Sequence, residues 1–126
     1  MFSHVMLGAK DLEQSRTFYN ALLGALGAKP GNVDRHRVFW RHAGSTFGVS
    51  LPINGEPATH GNGSTLGFAA ESVEQATQAY EAALAAGGTP CEDPPGWRGP
   101  SMYLAYMRDP SGNKICVMHR APKPAQ

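Results

Sequence analysis

Hydrophobic residues recur in two ways along this chain, with helical spacing in two segments and on alternate positions in the segments between them. A helix is predicted over about 11–25, where Leu12, Phe18 and Leu22 fall near one face, and a second over about 73–86. Alternation predicts strands over 2–8, 36–42, 45–53, 64–70, 102–108 and 113–119. Because strands follow one another without intervening helices, the pattern indicates an α+β fold.

The chain contains an internal repeat. Residues 11–27 align without a gap on residues 72–88, at an offset of 61, and seven of the 17 pairs are identical. Each copy begins with a capping residue and a Gln three positions later, and each ends on glycine. A second strand is not evident in the second copy unless part of 89–100 supplies it. The repeat predicts that the two halves share one core, with any site on the pseudo-twofold axis between them.

Turn residues separate the predicted strands. A tight turn is predicted at Ala43-Gly44, and the sequence Asp-Pro-Ser-Gly at 109–112 fits a type I turn. Asp109, Pro110, Gly112 and Asn113 could suggest a catalytic cluster, but turn geometry explains all four, so we interpret them as structural. The tail 121–126 is Pro-rich and polar, and we predict that it is frayed.

Composition limits the classes of partner. The 126 residues suit one domain, and a formal charge of +1 without a polybasic face argues against nucleic acid. No apolar run approaches the roughly 20 residues of a membrane span. With no visible secretion signal and only two cysteines, a cytoplasmic protein with reduced thiols is expected. A homodimer is expected as well, because an open cupped sheet leaves edges that a twofold partner can cover.

Three blocks of the chain resemble the vicinal oxygen chelate superfamily, which includes glyoxalase I, the bleomycin-resistance proteins and the extradiol dioxygenases. The blocks are FSHVMLGAKDLEQSRTFYNALLGALG (2–27), TLGFAAESVEQATQAYEAALAAGG (65–88) and YLAYMRDPSGNKICVM (103–118). The resemblance implies a single domain, 1–126, built from two pseudo-symmetric βαβββ modules, 1–54 and 64–119. These modules would form one curled mixed sheet around a cupped cavity, with the helices on its outer face.

The resemblance also implies four positions for metal ligands, two in each module. In this sequence they fall on His4, near Ser50, on Thr65 and on Cys116. Only His4 is of the type usual in the family, and neutral hydroxyls are poor ligands for a divalent ion. His4 and Cys116 could hold Zn²⁺ or Cu⁺ loosely, but we predict that the metal site is lost and that no cofactor is needed.

The remaining candidates are assigned to ligand binding or to proton transfer. His4 could act as a proton-transfer group, and Cys116 as a nucleophile if His4 approached it, although a lone strand cysteine more often packs as a small apolar residue. Arg98 beside Trp97 could grip a carboxylate or stack on a planar ring. Tyr103 and Met118 are predicted to share a strand face with the cavity, while the face of strand 36–42 stays open. The predicted ligand-binding set is Met6, Ser50, Thr65, Trp97, Arg98, Tyr103, Cys116 and Met118.

The leading hypothesis is a glyoxalase-like protein that has lost its metal and binds a small neutral or anionic organic molecule in the sheet cavity. One alternative is a metal-free isomerase or lyase that uses His4 for proton transfer, in which His4→Ala would abolish turnover and not only weaken binding. A second is a metal-dependent glyoxalase or dioxygenase. A third is a dimeric accessory subunit whose vestigial cavity would be filled by Met6, Tyr103 and Met118.

Overall fold

The computed structural model describes residues 1–122, so most of the tail predicted to be frayed, 121–126, lies outside the described residues. The elements are β1 (Val5–Gly8), α1 (Leu12–Ala25), β2 (Asn32–Asp34), β3 (Arg37–His42), β4 (Ser45–Ser50), β5 (Leu66–Ala69), α2 (Val73–Ala85), β6 (Thr89–Pro90), β7 (Gly96–Arg98), β8 (Met102–Arg108) and β9 (Lys114–Arg120). The α+β class and both predicted helices are confirmed. The alternation of hydrophobic residues did not predict the short strands β2, β6 and β7. Strands β6 and β7 lie within 89–100, the segment that could supply the strand not evident in the second copy of the repeat.

The repeat is visible in the way the two helices begin. The side chain of Asp11 accepts a hydrogen bond from the Gln14 amide at 3.0 Å, and Ser72, 61 positions later, accepts one from the Gln75 amide at 3.0 Å. Each cap satisfies an amide that has no partner within its helix. The helices end beside glycines with positive φ, Gly27 at 103° and Gly87 at 108°. Local capping therefore fixes the same helix twice.

The strands form two sheets and not the single curled sheet that was predicted. The first has the order β1-β4-β3-β2, and the second has β5-β9-β8-β6, with β7 also paired to β8. In each sheet the strand before the helix pairs in parallel with the last strand of its module, β1 with β4 and β5 with β9. The two predicted βαβββ modules are confirmed, and the predicted sheet is divided in two because β1 and β5 both lie at sheet edges and do not pair with each other.

Both modules contribute to one core. Each helix packs on its own sheet, α1 on β3 and β4 and α2 on β8 and β9, and the two helices pack on each other. Tyr19 contacts Phe47 with ring centroids 4.7 Å apart, and Phe47 contacts Phe68 of the second module at 5.2 Å. The inward-facing residues that are completely buried include Phe18, Tyr19, Leu22, Val38, Val49, Ala76, Ala79, Ala83, Met107, Ile115 and Val117. Burial of this shared apolar surface holds the modules together.

The turn at 109–112 joins the two modules. The Gly112 amide donates to the Asp109 carbonyl at 2.9 Å, which confirms the predicted turn. The Asp109 carboxylate, which is 4% exposed, accepts bonds from Tyr19 Oη at 2.6 Å, from the amides of Ser111 and Asn113, and from Asn113 Nδ2. Ser111 Oγ in turn accepts from the Lys10 amide at 2.8 Å. The structural interpretation of this turn was correct, but its role extends to the contact between modules.

The buried pair of Tyr19 and Asp109 predicts a specific loss of stability at alkaline pH. Burial, and then the charge of Asp109 and its hydrogen bond, raise the pKa of Tyr19 well above its ordinary value. The folded state therefore keeps a proton that the unfolded chain releases above about pH 10, so the free energy of unfolding falls as pH rises beyond that point. We expect the advantage of wild type over Tyr19→Phe in urea unfolding to shrink by about 1 kcal/mol between pH 8 and pH 11.

Tyr80 provides the matched control, because it lies 61 positions after Tyr19 and its hydroxyl makes no hydrogen bond within residues 1–122. The advantage of wild type over Tyr80→Phe is expected to be the same at both pH values. An unchanged difference for Tyr19→Phe as well would contradict the prediction.

Candidate functional site

A cavity of about 420 Å³ lies between the two modules. Strand β5 forms one wall, and the N-terminal segment, the end of α1 and the β3–β4 hairpin form the others. The residues that line it are Phe2, Ser3, His4, Val5, Leu23, Leu26, Ala28, Trp40, His42, Ala43, Ser45, Thr46, Phe47, Leu66, Gly67, Phe68 and Ala69. This volume is within the range of small-molecule sites.

The floor of the cavity is apolar and its rim is polar. Trp40 and Phe47 stack at 5.8 Å, and both are buried, as are Leu23 and Leu26. The exposed residues His4, His42 and Ser45 lie at the rim, so the cavity opens to solvent. None of the lining residues in the described part of the chain is Asp, Glu, Lys or Arg. The site therefore suits an uncharged ligand with a flat or aliphatic apolar part.

Strand alternation explains why Trp40 contributes to the floor. Val38 and Trp40 on β3 face the helices, with Trp40 Nε1 donating to Asn20 Oδ1 of α1 at 2.9 Å. Phe39 lies on the opposite face, where the Arg41 guanidinium stacks over its ring at 5.4 Å. The face of this strand, left open by the sequence, is thereby assigned. Burial of the ring combined with one anchored N–H holds the indole in a fixed position.

The cavity occupies one of two pseudo-equivalent seams. Ser50 pairs with Gly8, and Met118 pairs with Ala69, the residue 61 positions after Gly8. Ser45 lies five residues before Ser50, and Asn113 lies five residues before Met118, so Ser45 is the counterpart of Asn113. The seam between β5 and the β3–β4 hairpin holds the cavity, and we call it the open seam. In the other seam, between β1 and the turn before β9, Asn113 Nδ2 donates to the Gly8 carbonyl at 2.9 Å, and we call this the closed seam.

The open seam lacks this bridge. The side chain of Ser45 makes no hydrogen bond within residues 1–122 and is too short to copy an asparagine amide. The β3–β4 hairpin turns through two residues, Ala43 and Gly44, with φ of 50° and 80°, as predicted. The corresponding turn of the second module has three residues between Asp109 and Asn113. A shorter turn with a smaller side chain leaves the space that forms the cavity.

Of the predicted site residues, only His4 lines the cavity. Its Nδ1 lies 2.8 Å from Ser3 Oγ, and its predicted role in proton transfer stays a prediction. The other predicted ligand-binding residues, which the cavity does not include, are Met6, Ser50, Thr65, Trp97, Arg98, Tyr103, Cys116 and Met118. No pattern in the sequence assigned the floor residues to a site; they are Leu23, Leu26, Trp40, Phe47 and Phe68.

Several of these residues have other roles. Arg98 donates to the carbonyls of Asp93 and Pro94, which fixes the loop before β8. Trp97 is 50% exposed and meets Tyr103 edge to face at 5.6 Å. The prediction that Tyr103 shares a face with Met118 was wrong, because Met118 pairs with Leu104 and Tyr103 lies on the side of α2, 3.4 Å from Thr77 Oγ1. Nor do Met6, Tyr103 and Met118 fill the cavity.

Strand register corrects the expected set of metal ligands. Cys116 pairs with Gly67, and the corresponding pair in the first module is Gly48 with Met6, whose sulfur packs over Gly48. The counterpart of Cys116 is therefore Gly48 and not Ser50. The four positions would then offer one imidazole, one hydroxyl, one thiol and no side chain at the fourth. Within residues 1–122, no three His, Cys, Asp or Glu side chains cluster as they would to hold a metal ion. These residues do not fit a catalytic divalent ion.

Cys116 does not have the surroundings of a nucleophile. Burial raises the pKa of the Cys116 thiol, and the neighbouring Lys114 ammonium opposes this only in part. Both Cys91 and Cys116 are free thiols. His4 pairs with Ser3, and no hydrogen bond joins it to Cys116 in the described residues. A protonated thiol on a buried strand is inert, so the structure favours the packing interpretation of Cys116.

Neither helix of the described chain could span a bilayer, since α1 has 14 residues and α2 has 13.

Solved structures with the same fold extend over nearly the whole chain. A glyoxalase/bleomycin resistance protein from Albidiferax ferrireducens T118 is 61% identical, with a TM-score of 0.92, and the match covers 95% of this chain and 98% of that one. A lactoylglutathione lyase from Agrobacterium tumefaciens is 22% identical, with a TM-score of 0.67 over 94% of this chain and 92% of that one, and supports the fold alone.

Sequence comparison gives a more distant relative and a family. A lactoylglutathione lyase from Arabidopsis thaliana is 24% identical over 98% of this chain but only 45% of its own length. This chain thus spans about half the length of the curated relatives it matches. The model of the Glyoxalase/Bleomycin resistance protein/Dioxygenase superfamily matches residues 1–117. With the family fold present in both modules, the chain belongs to the glyoxalase/bleomycin resistance protein/dioxygenase superfamily.

Proposed function

We propose that this protein binds a small, uncharged and largely apolar organic molecule in the cavity between its modules, without a metal ion. The observation that carries the proposal is the cavity itself, about 420 Å³ with an aromatic floor and without charged Asp, Glu, Lys or Arg side chains among its described lining residues. Apolar walls with a few polar groups at one end are typical of small-molecule sites. The ligand would place its apolar part over Trp40, Phe47 and Phe68 and its polar part toward the rim.

The lining favours the neutral ligand over the anionic one within the leading hypothesis. The arginine expected to grip an anion, Arg98, is held by loop carbonyls outside the cavity. The lactoylglutathione lyase activity in the names of the relatives is not carried over, because the residues at the family's metal positions do not fit such an ion. Homodimer formation and a cytoplasmic location stay predictions.

A binding titration with methyl benzoate, a neutral aromatic ester, tests the proposal. The chain has two tryptophans, so in the Trp97→Phe variant the fluorescence comes from Trp40 alone, in the cavity floor. We expect a saturable change with a 1:1 stoichiometry that is the same in EDTA and with added Zn²⁺. Ligand at about 100 times its Kd should stabilise the folded state by about 2.7 kcal/mol in thermal unfolding.

Two outcomes would count against the proposal. The first is a fluorescence change that does not saturate and brings no thermal stabilisation. The second is binding that appears only when a divalent metal is added, which would restore the metal-dependent alternative.

A further inference from the structure

The edge of strand β5 presents to the cavity the backbone carbonyl of Ala69, which accepts no hydrogen bond from residues 1–122. The Ala70 amide donates to the Met118 carbonyl of β9 at 2.8 Å. Across a trans peptide plane the C=O of the preceding residue points the opposite way, so the Ala69 carbonyl points away from β9. Since β5 is an edge strand and Ala69 lines the cavity, this oxygen faces the seam.

The closed seam shows what such a carbonyl binds. There the Ala9 amide donates to the Ser50 carbonyl at 2.9 Å, and the Gly8 carbonyl points away from β4 in the same manner. That oxygen accepts the bond from Asn113 Nδ2 at 2.9 Å. A side-chain carboxamide therefore fills the position that is open on the other side of the pseudo-twofold axis.

Strand edges with unpaired carbonyls need a donor from elsewhere. A carbonyl that is cut off from water needs a donor from the protein or from a ligand, and in the closed seam the chain supplies that donor itself. Ala69 in the open seam is exposed, so a ligand that covers its carbonyl must replace the water there. In the open seam the counterpart of Asn113 is Ser45, whose side chain makes no hydrogen bond within residues 1–122. A ligand that carries its own N–H group can supply the missing donor.

We propose that the cavity recognises a small aromatic carboxamide, whose N–H donates to the Ala69 carbonyl while its ring packs on Phe47 and Phe68. The assignment rests on the proposed small-molecule function and adds the chemical class of the ligand. The carboxamide takes the place that the Asn113 amide has at the closed seam. The rings of Phe47 and Phe68, in contact at 5.2 Å, give the aromatic part its surface.

The test compares benzamide with methyl benzoate, which has the same ring and a carbonyl but no N–H. One net hydrogen bond predicts that benzamide binds about three- to tenfold more tightly. Benzoate, which lacks the donor and is anionic, is expected to bind more weakly than benzamide. Dissociation constants are measured by calorimetric titration in EDTA.

Two substitutions at Ser45 distinguish the effect of an added N–H donor from the effect of added side-chain volume. In Ser45→Asn the chain supplies its own carboxamide at the counterpart of Asn113, so the preference for benzamide over methyl benzoate should fall to about one. In Ser45→Leu the side chain has nearly the same size but no donor, so both ligands should weaken while the preference is kept. Ser45 is exposed beside a tight turn, and urea unfolding verifies that both variants fold.

The outcomes distinguish this inference from the proposed function. Methyl benzoate binding as tightly as benzamide, or a preference that survives Ser45→Asn, would overturn the carboxamide assignment and leave the cavity as an apolar binding site. Failure of all three probes to bind would overturn the proposed function together with the inference. A preference lost in Ser45→Asn and kept in Ser45→Leu would support both.

Discussion

Replacing Asp109 with alanine is expected to lower the free energy of unfolding by about 3–5 kcal/mol. The carboxylate accepts four hydrogen bonds, from Tyr19 Oη, from the Ser111 amide and from two groups of Asn113. Alanine would leave these buried donors without an acceptor, and each such group costs about 1–3 kcal/mol unless water reaches it. Because a domain is stable by only about 5–15 kcal/mol, the variant should be close to unfolding at 37 °C.

Urea unfolding at neutral pH measures the effect. Asp93→Ala is the matched control, since Asp93 is exposed and its carboxylate makes no hydrogen bond within residues 1–122. Its free energy of unfolding should stay within about 0.5 kcal/mol of wild type. A loss below about 1 kcal/mol for Asp109→Ala would mean that the turn contributes little to the contact between modules.

The helices and the turns could be predicted because local chemistry determines them. Asp11 and Ser72 act as caps wherever the helix packs, and a two-residue turn at Ala43-Gly44 needs only the conformations of those two residues. The structural role of Asp109 followed from the same kind of local pattern. Its bond to Tyr19 did not, because that contact spans 90 positions of sequence.

The equivalence of the last strands could not be predicted from the repeat. The helices repeat at an offset of 61, but Ser50 and Met118 are 68 positions apart, because the second module has a longer loop before β8 and one more residue in the turn before β9. The family resemblance placed the corresponding position of the first module near Ser50, whereas the register makes Gly48 the counterpart of Cys116. A shift of two residues keeps the strand face and changes the partner, so alternation alone could not detect it.

The cavity also could not be predicted from the sequence. Its walls come from both modules, and its existence depends on edge strands β1 and β5 remaining unpaired. In the sequence, Phe47 and Phe68 have the pattern of ordinary core residues. Both rings do contact Tyr19 and each other, and both also line the cavity. Among the residues that the sequence indicated for the site, only His4 lines this cavity.

Replacing Ser45 with tryptophan is expected to weaken the binding of methyl benzoate at least tenfold, which corresponds to about 1.4 kcal/mol. Ser45 lies at the rim on the same side of β4 as Phe47, so an indole there can fold over the floor and occupy the space of the ligand. The free energy of unfolding should be unchanged or higher, since the new ring covers apolar surface that water now reaches. Calorimetric titration measures affinity, and urea unfolding measures stability.

Ser50→Trp is the matched control, because Ser50 lies on the same strand, faces the opposite side and does not line the cavity. Its affinity for methyl benzoate should remain within about twofold of wild type, a difference of about 0.4 kcal/mol. Equal affinity in wild type and Ser45→Trp would mean that methyl benzoate binds elsewhere on the chain. Equal losses in both variants would point to a general change in the sheet. Only a loss confined to Ser45→Trp assigns binding to the seam, because the two substitutions add the same side chain to opposite faces of one strand.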